Sequence, residues 1–173
     1  MNLEMFQGMT APELRRYIEF LLWHYRVMDS FWYIYLVELC GEDAADRVNE
    51  KVWGKVPALA VRDLINKFEI RERGLAGFVQ AMHYWPWHIL VGYRIEQKPH
   101  EVVITVPSCA TQVARLKRGL EEYRCKEMHR AEFESFAREI DPRIRTECIF
   151  APPDPHPPET FCQWRFFLEE GEG

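Results

Sequence analysis

His88-Ile-Leu-Val-Gly-Tyr-Arg-Ile-Glu-Gln-Lys-Pro-His-Glu-Val-Val-Ile-Thr-Val106 is the stretch in which the pattern of the chain changes. Upstream of it, apolar residues recur every three or four positions, as on a helix. Here β-branched and aromatic residues crowd together, as in strands. The spacing predicts strands over His88–Glu96 and Glu101–Val106, joined as a hairpin by Gln97-Lys98-Pro99-His100, with Pro107 ending the second.

Upstream, Thr10-Ala-Pro-Glu13 reads as a helix start, with a Thr N-cap, Pro in the first turn and Glu three residues after the cap. Apolar residues then follow helical spacing from Leu14 through Ile18, Tyr25, Trp32 and Leu36 to Leu39, ahead of a Gly41 C-cap. That is one long helix or two collinear ones. A second helical stretch starts at Glu42–Asp43, and Pro57 is expected to kink or split it. Gly74 and Gly77 are expected to bracket a loop, with a short helix over Phe78–His83.

Downstream, the period is helical from Thr111 to Ile140, until Asp141-Pro142 stops it. Strands are predicted over Arg143–Ala151 and Thr160–Glu169. The segment Pro152-Pro-Asp-Pro-His-Pro-Pro158 between them suits neither helix nor central strand. Residues 170–173 are expected to fray. The fold class expected is α+β, a single domain over residues 1–173. A helical part (1–83) precedes β-β-α-β-β (84–169), a four-stranded, mostly antiparallel sheet covered by helices.

Composition narrows the function classes. With 47% hydrophobic and 14% aromatic residues, the chain of 173 residues has the material for a packed core. Its net charge of −5, with Lys and Arg scattered among acids, argues against a nucleic-acid partner. No run of about 18 uncharged apolar residues exists, so no membrane span is expected. The opening ten residues lack the basic start and apolar run of an export signal, which points to the cytoplasm. Five cysteines in such a setting are expected to be reduced thiols, free to pack or to bind metal.

Within Thr111–Ile140, Cys125, His129, Phe133, Phe136 and Ile140 share one helix face, and the three apolar members turn that face inward. Alternation puts Ile144, Thr146, Cys148 and Phe150 on one face of their strand, with Arg143, Arg145 and Glu147 opposite. Cys162, Trp164, Phe166 and Leu168 likewise share a face. Covering the sheet with the helix would gather Cys125, His129, Cys148 and Cys162. Three thiolates and an imidazole form a common tetrahedral zinc set, though this spacing is no zinc-finger signature. The same residues also read as ordinary core packing, or as redox or nucleophilic groups.

Thr146-Glu-Cys148 and Phe161-Cys-Gln-Trp-Arg-Phe-Phe167 resemble the vinyl-four-reductase-like ligand-binding domain, over roughly the last half of the chain. That superfamily includes sensor domains of aromatic-responsive transcription activators and subunits of vesicle-tethering complexes. The resemblance implies a structural zinc beside a small-molecule pocket, with Cys125, Cys148 and Cys162 as ligands. Two departures stand out: a Pro-rich loop replaces a short Gly turn, and Arg145 stands where the sensors carry a Glu ligand. His129 or Glu147 is then left as fourth ligand. Over most of its length the chain also resembles a prokaryotic family related to the aminothiazoline-carboxylate hydrolases, through His24-Tyr-Arg-x-x-Asp29, Cys125-Lys-Glu-Met-His-Arg-x-Glu-Phe133 and Phe150-Ala-Pro-Pro-Asp-Pro-His156.

Other residues read two ways. Asp29, in an apolar stripe, is a pocket base or a structural partner of an Arg. Trp85 and Trp87, in His83-Tyr-Trp-Pro-Trp-His88, line a pocket for an apolar or aromatic molecule or seal the sheet; Trp32 and Phe133 join them as pocket candidates. Asp154 and His156 are lid or solvated loop residues. The aromatic N-terminal helix suggests a homodimer. The leading expectation is a small-molecule-binding domain with a structural zinc. A metal- or Cys125-dependent hydrolase of a small cyclic or amide substrate is the alternative, and a protein-interaction module the third reading.

Overall fold

The computed structural model describes residues 3–169; residues 170–173, expected to fray, lie outside them. The chain divides into two compact units, residues 1–45 and 46–173. The first holds a short 3-10 turn at Glu4–Phe6 and helix α1, Ala11–Cys40. The Thr10 side chain caps the Glu13 amide while the Glu13 carboxylate accepts from the Thr10 amide at 2.8 Å, the reciprocal box expected from the sequence. Gly41, at φ 82°, ends the helix in a region where a side chain would be strained. α1 is therefore one uninterrupted helix.

Helix α2, Glu42–Lys67, carries the chain into the second unit. It runs through Pro57 as a single element, where a kink or split was expected. Trp53, Pro57 and Val61 recur at intervals of four and are all buried, so packing of this face holds the helix across the missing amide.

Helix α3 spans Gly74–Met82, and α4 spans Pro86–Val91. Both correct the sequence reading. Gly74 and Gly77 lie inside α3 rather than around a loop, and a Cβ at Gly77 would collide with the Glu72 carbonyl, so glycine allows that close passage. The first strand does not begin at His88: Pro86 opens a helix, and Gly92, at φ 75°, closes it. A short apolar run such as Ile89-Leu90-Val91 suits either a strand or a helix, and its flanking residues decide.

Strands β1 (Arg94–Gln97) and β2 (Glu101–Val106) form the predicted hairpin. The helical segment after them is two helices, α5 (Ala110–Leu116) and α6 (Lys126–Ile140), instead of one. Gly119, at φ 71°, turns the chain out of helix. The buried Gln112 then clamps the extended return, donating to the Tyr123 carbonyl at 2.9 Å and accepting from the Tyr123 amide at 2.8 Å. Strands β3 (Ile144–Phe150) and β4 (Cys162–Leu168) complete an antiparallel sheet of order β1-β2-β4-β3. The α+β class, with its helical N-terminal half and four-stranded sheet, is the one the sequence predicts.

One sheet face is the core. Register sets Val102 against Phe166, Ile104 against Trp164 and Val106 against Cys162, and all six side chains are buried. Phe78 of α3 lies 4.4 Å from Phe166 and 5.5 Å from Phe136 of α6, ring centre to ring centre. Phe133 meets Trp164 at 5.3 Å and Phe166 at 5.4 Å. Each such pair adds about 1 kcal/mol to the burial of its rings. The opposite sheet face is polar, with Arg165 donating from Nε to Glu147 at 2.7 Å.

Candidate thiol, imidazole and carboxylate site

α6 begins where the clamped return ends, so Cys125 is its N-cap residue rather than a mid-helix position. His129 follows one turn later, its amide donating to the Cys125 carbonyl at 2.9 Å. Glu132 comes three residues further, and this helical spacing brings all three side chains to one face. Cys125 is 5% exposed and Glu132 1%.

Glu132 is the residue that organises the site. A carboxylate buried among Phe133, Phe136 and Trp85 is tolerable only if its oxygens are satisfied. Trp85 Nε1 donates to Oε1 at 2.9 Å, and His129 Nδ1 donates to Oε2 at 2.6 Å. His129 is also hydrogen-bonded to Cys125, with Nε2 the ring nitrogen left for it. Burial alone would push the imidazole toward its neutral form. The hydrogen bonds to Cys125 and Glu132, and the electrostatic pull of these neighbours, outweigh it and hold His129 well above the ordinary histidine range. His129 is thus anchored on one side and faces a sulfur on the other, with its charged form favoured. Gln112 Nε2 lies 3.5 Å from that sulfur.

Two further thiols stand near. Cys162 is buried, and burial first, then neighbouring Cys125 and Cys109, push its thiol well above the usual value. Cys109, just before α5, is shifted upward by burial and Cys125 and pulled down by His129. The buried Tyr93 is raised by burial foremost, then by Glu132, Cys162, Cys109 and Cys125. Glu132, Cys162, Cys109 and Cys125 therefore lie within electrostatic reach of Tyr93.

The predicted metal set does not come together as one coordinating group. Among the described residues no three His, Cys, Asp or Glu side chains are placed to hold a metal ion. Cys148 faces the helices as alternation requires and sits opposite Trp164 in register, a diagonal step along the strand pair from Cys162, whose thiol it helps to raise. Its thiol is raised to about 11 by burial, against the opposing pull of Lys126. Glu147, the other candidate fourth ligand, projects from the polar sheet face and is bound to Arg165.

Of the pocket candidates, Asp29 and Trp32 lie on α1 in the first unit, Trp32 being exposed. Trp85 and Phe133 are core residues of the second unit, and Trp87 packs edge-on against Trp53 at 5.6 Å. A surface cleft of about 230 Å³ lies toward the other end of α6, lined by Glu134, Arg138 and residues at the start of β3. Asp154 and His156 fasten the Pro-rich loop: Lys126 Nζ donates to Asp154 at 2.8 Å, and His156 Nε2 lies 3.0 Å from Glu122. The Lys126 amide donates to the Pro152 carbonyl at 3.1 Å, so this loop is pinned at Cys125's end of α6.

Glu132 stands in the sequence motif Cys125–Phe133 without a role assigned to it, and the sequence assigns Gln112 and Cys109 no site role. For Glu132 the signal was present: it falls at i+7 from Cys125 and i+3 from His129, on a stripe otherwise apolar. Gln112 carried no such signal, because its role depends on a return of the chain that periodicity does not reveal.

The comparison with known families covers most of the first unit and nearly all of the second. The family of unknown function DUF6125 matches residues 13–168. The chain belongs to this family. No curated protein matches it. The match takes in every residue of the cluster in this DUF6125 chain, from Tyr93 to Cys162.

Proposed function

We propose that this DUF6125 chain is a thiol-dependent hydrolase of a small cyclic or amide substrate, with Cys125 as nucleophile, His129 as its acid–base partner and Glu132 as the group that holds His129. The observation that carries the reading is the chain of contacts Cys125–His129–Glu132–Trp85. A nucleophile, a base within hydrogen-bond reach and a third group orienting the base are the recurrent parts of covalent catalysis by Ser and Cys. Attack of the Cys125 sulfur on a carbonyl or amidine carbon would form a thioester-like intermediate. The imidazolium would give its proton to the departing nitrogen, and water, deprotonated by His129, would release the product. Glu132 remains a carboxylate throughout and keeps Nδ1 protonated. Half-buried His129 gives the pair its route to solvent. The five free thiols suit a reducing compartment, which supports a cytoplasmic setting.

The test is turnover of a panel of small thiazolines, amidines and amides by the native protein and by Cys125→Ser, His129→Gln and Cys148→Ala. The reading predicts loss of turnover of 100-fold or more in the first two, a magnitude of the kind that removal of a nucleophile or base produces, and none in the third. Equal turnover in native protein and Cys125→Ser would refute it.

A second reading, a small-molecule-binding domain with a structural zinc, is favoured by one observation: His129 Nδ1 already carries the carboxylate partner usual for metal-bound imidazole. Stoichiometric zinc in protein purified without a His tag would favour it.

A further inference from the structure

The first unit carries a seam of its own. From Leu14 to Leu39, α1 places an apolar residue at alternating intervals of four and three, without a gap, for eight positions. That is a repeat of 3.5 residues, the spacing of a coiled-coil seam rather than of a helix lying on a globular core. Yet no residue of α1 is buried, and Trp32 and Leu39 in this seam are 66% and 84% exposed. A helix of this kind draws its stability from covering such a face.

We infer that a second copy of this chain covers it, in an antiparallel two-stranded coiled coil of α1 helices. Side-chain volume selects the partner and the direction. A two-fold axis passing between Arg26 and Val27 sets Leu14 against Leu39, Ile18 against Tyr35, Leu21 against Trp32 and Tyr25 against Met28 of the other copy. Every aromatic then meets an aliphatic side chain. A parallel pair would instead set Tyr25, Trp32 and Tyr35 each against its own counterpart, three layers too wide for axes about 8–10 Å apart.

Charge agrees. Antiparallel pairing brings the end bearing Arg15 and Arg16 beside the end bearing Glu38, and opposes the helix dipoles; parallel pairing sets Arg against Arg. The length also suffices. α1 has 30 residues, about 45 Å of helix, and the two-fold doubles the four pairs to eight layers. An interface of that extent reaches roughly 800 Å² per partner, the size of a standard stable contact.

Light scattering of the full chain after size exclusion tests this. The expected mass is twice 20.7 kDa at tens of micromolar, falling to half of that in Leu21→Glu, which buries a charge twice. Native protein that runs as a monomer overturns the inference, as does a dimer that survives Leu21→Glu. Direction is read by oxidative cross-linking in a Cys40→Ser background. A mixture of Ile18→Cys and Tyr35→Cys chains is expected to form a covalent dimer, and efficient self-cross-linking of Ile18→Cys alone would overturn the antiparallel arrangement.

Discussion

The Trp85 indole donates its Nε1–H to the Glu132 carboxylate across 2.9 Å of otherwise apolar core. Forty-seven residues apart in sequence, the two lock α6 against the α3–α4 connection and leave the second carboxylate oxygen for His129. A buried charge with two partners fixes geometry more than it adds stability, because desolvation consumes most of the attraction. That fixing sets where the imidazole stands relative to Cys125.

Removing the charge should therefore be costly. Glu132→Gln keeps a side chain for Trp85 but leaves the imidazolium without its anion, and should destabilise the protein by about 2–4 kcal/mol at neutral pH. His129's native value is raised, so its stabilisation is complete below the ordinary histidine pKa of about 6.5 and is lost as pH rises through the native value. In Glu132→Gln burial regains ground and the imidazole titrates lower. Urea unfolding across pH, with NMR titration of His129, checks both; an unmoved titration would contradict the assigned role of Glu132.

Gln112 replaces two missing backbone partners at once. Gln112→Ala strands the Tyr123 amide and carbonyl and should cost about 2–3 kcal/mol, with amide exchange at Tyr123 and Cys125 rising ahead of the sheet. Exchange spread evenly over the second unit would argue that Gln112 is not a local clamp.

Asp141 gives a pH signature independent of the site. Its carboxylate accepts from Arg143 Nη2 at 2.8 Å, from Arg143 Nε and from the Arg143 amide. These bonds, the side-chain ones foremost, lower its pKa to about 2 despite burial. A lowered carboxylate stabilises the fold above its unfolded pKa near 4, and the contribution disappears as pH falls through about 2. Because the Arg143 side chain is 66% exposed, solvent screening reduces the gain to about 1 kcal/mol. Asp141→Asn should lose that much at pH 7 and nothing near pH 2, in matched denaturant titrations.

How far the chain could be read in advance depended on what each residue's signal was made of. Thr10 and Glu13 announced the start of α1 because a capping box is local chemistry. The inward faces of β3 and β4 were legible because alternation has a strict period of two, and they placed Cys148 and Cys162 on the core side correctly. His88–Val91 was misread because a short apolar run fits either element until Pro86 and Gly92 are weighed as its caps. Thr111–Ile140 was misread as one helix because Arg115–Arg124 keeps enough apolar residues to sustain the pattern, while Gly119 and the Gln112 clamp break it. A shared face brings Cys148 within electrostatic reach of Cys162, one diagonal step away across β3 and β4. A shared face does not by itself make a donor set, and among the described residues no three such side chains are placed to hold a metal ion.

The most direct test of the site is the rate at which iodoacetamide labels Cys125 in the folded protein, read by peptide mass spectrometry with and without a chelator. If Cys125 is a nucleophile partnered by His129, labelling proceeds without chelator and slows at least tenfold in His129→Gln. Labelling that begins only after chelation, or that ignores His129→Gln, would contradict the account.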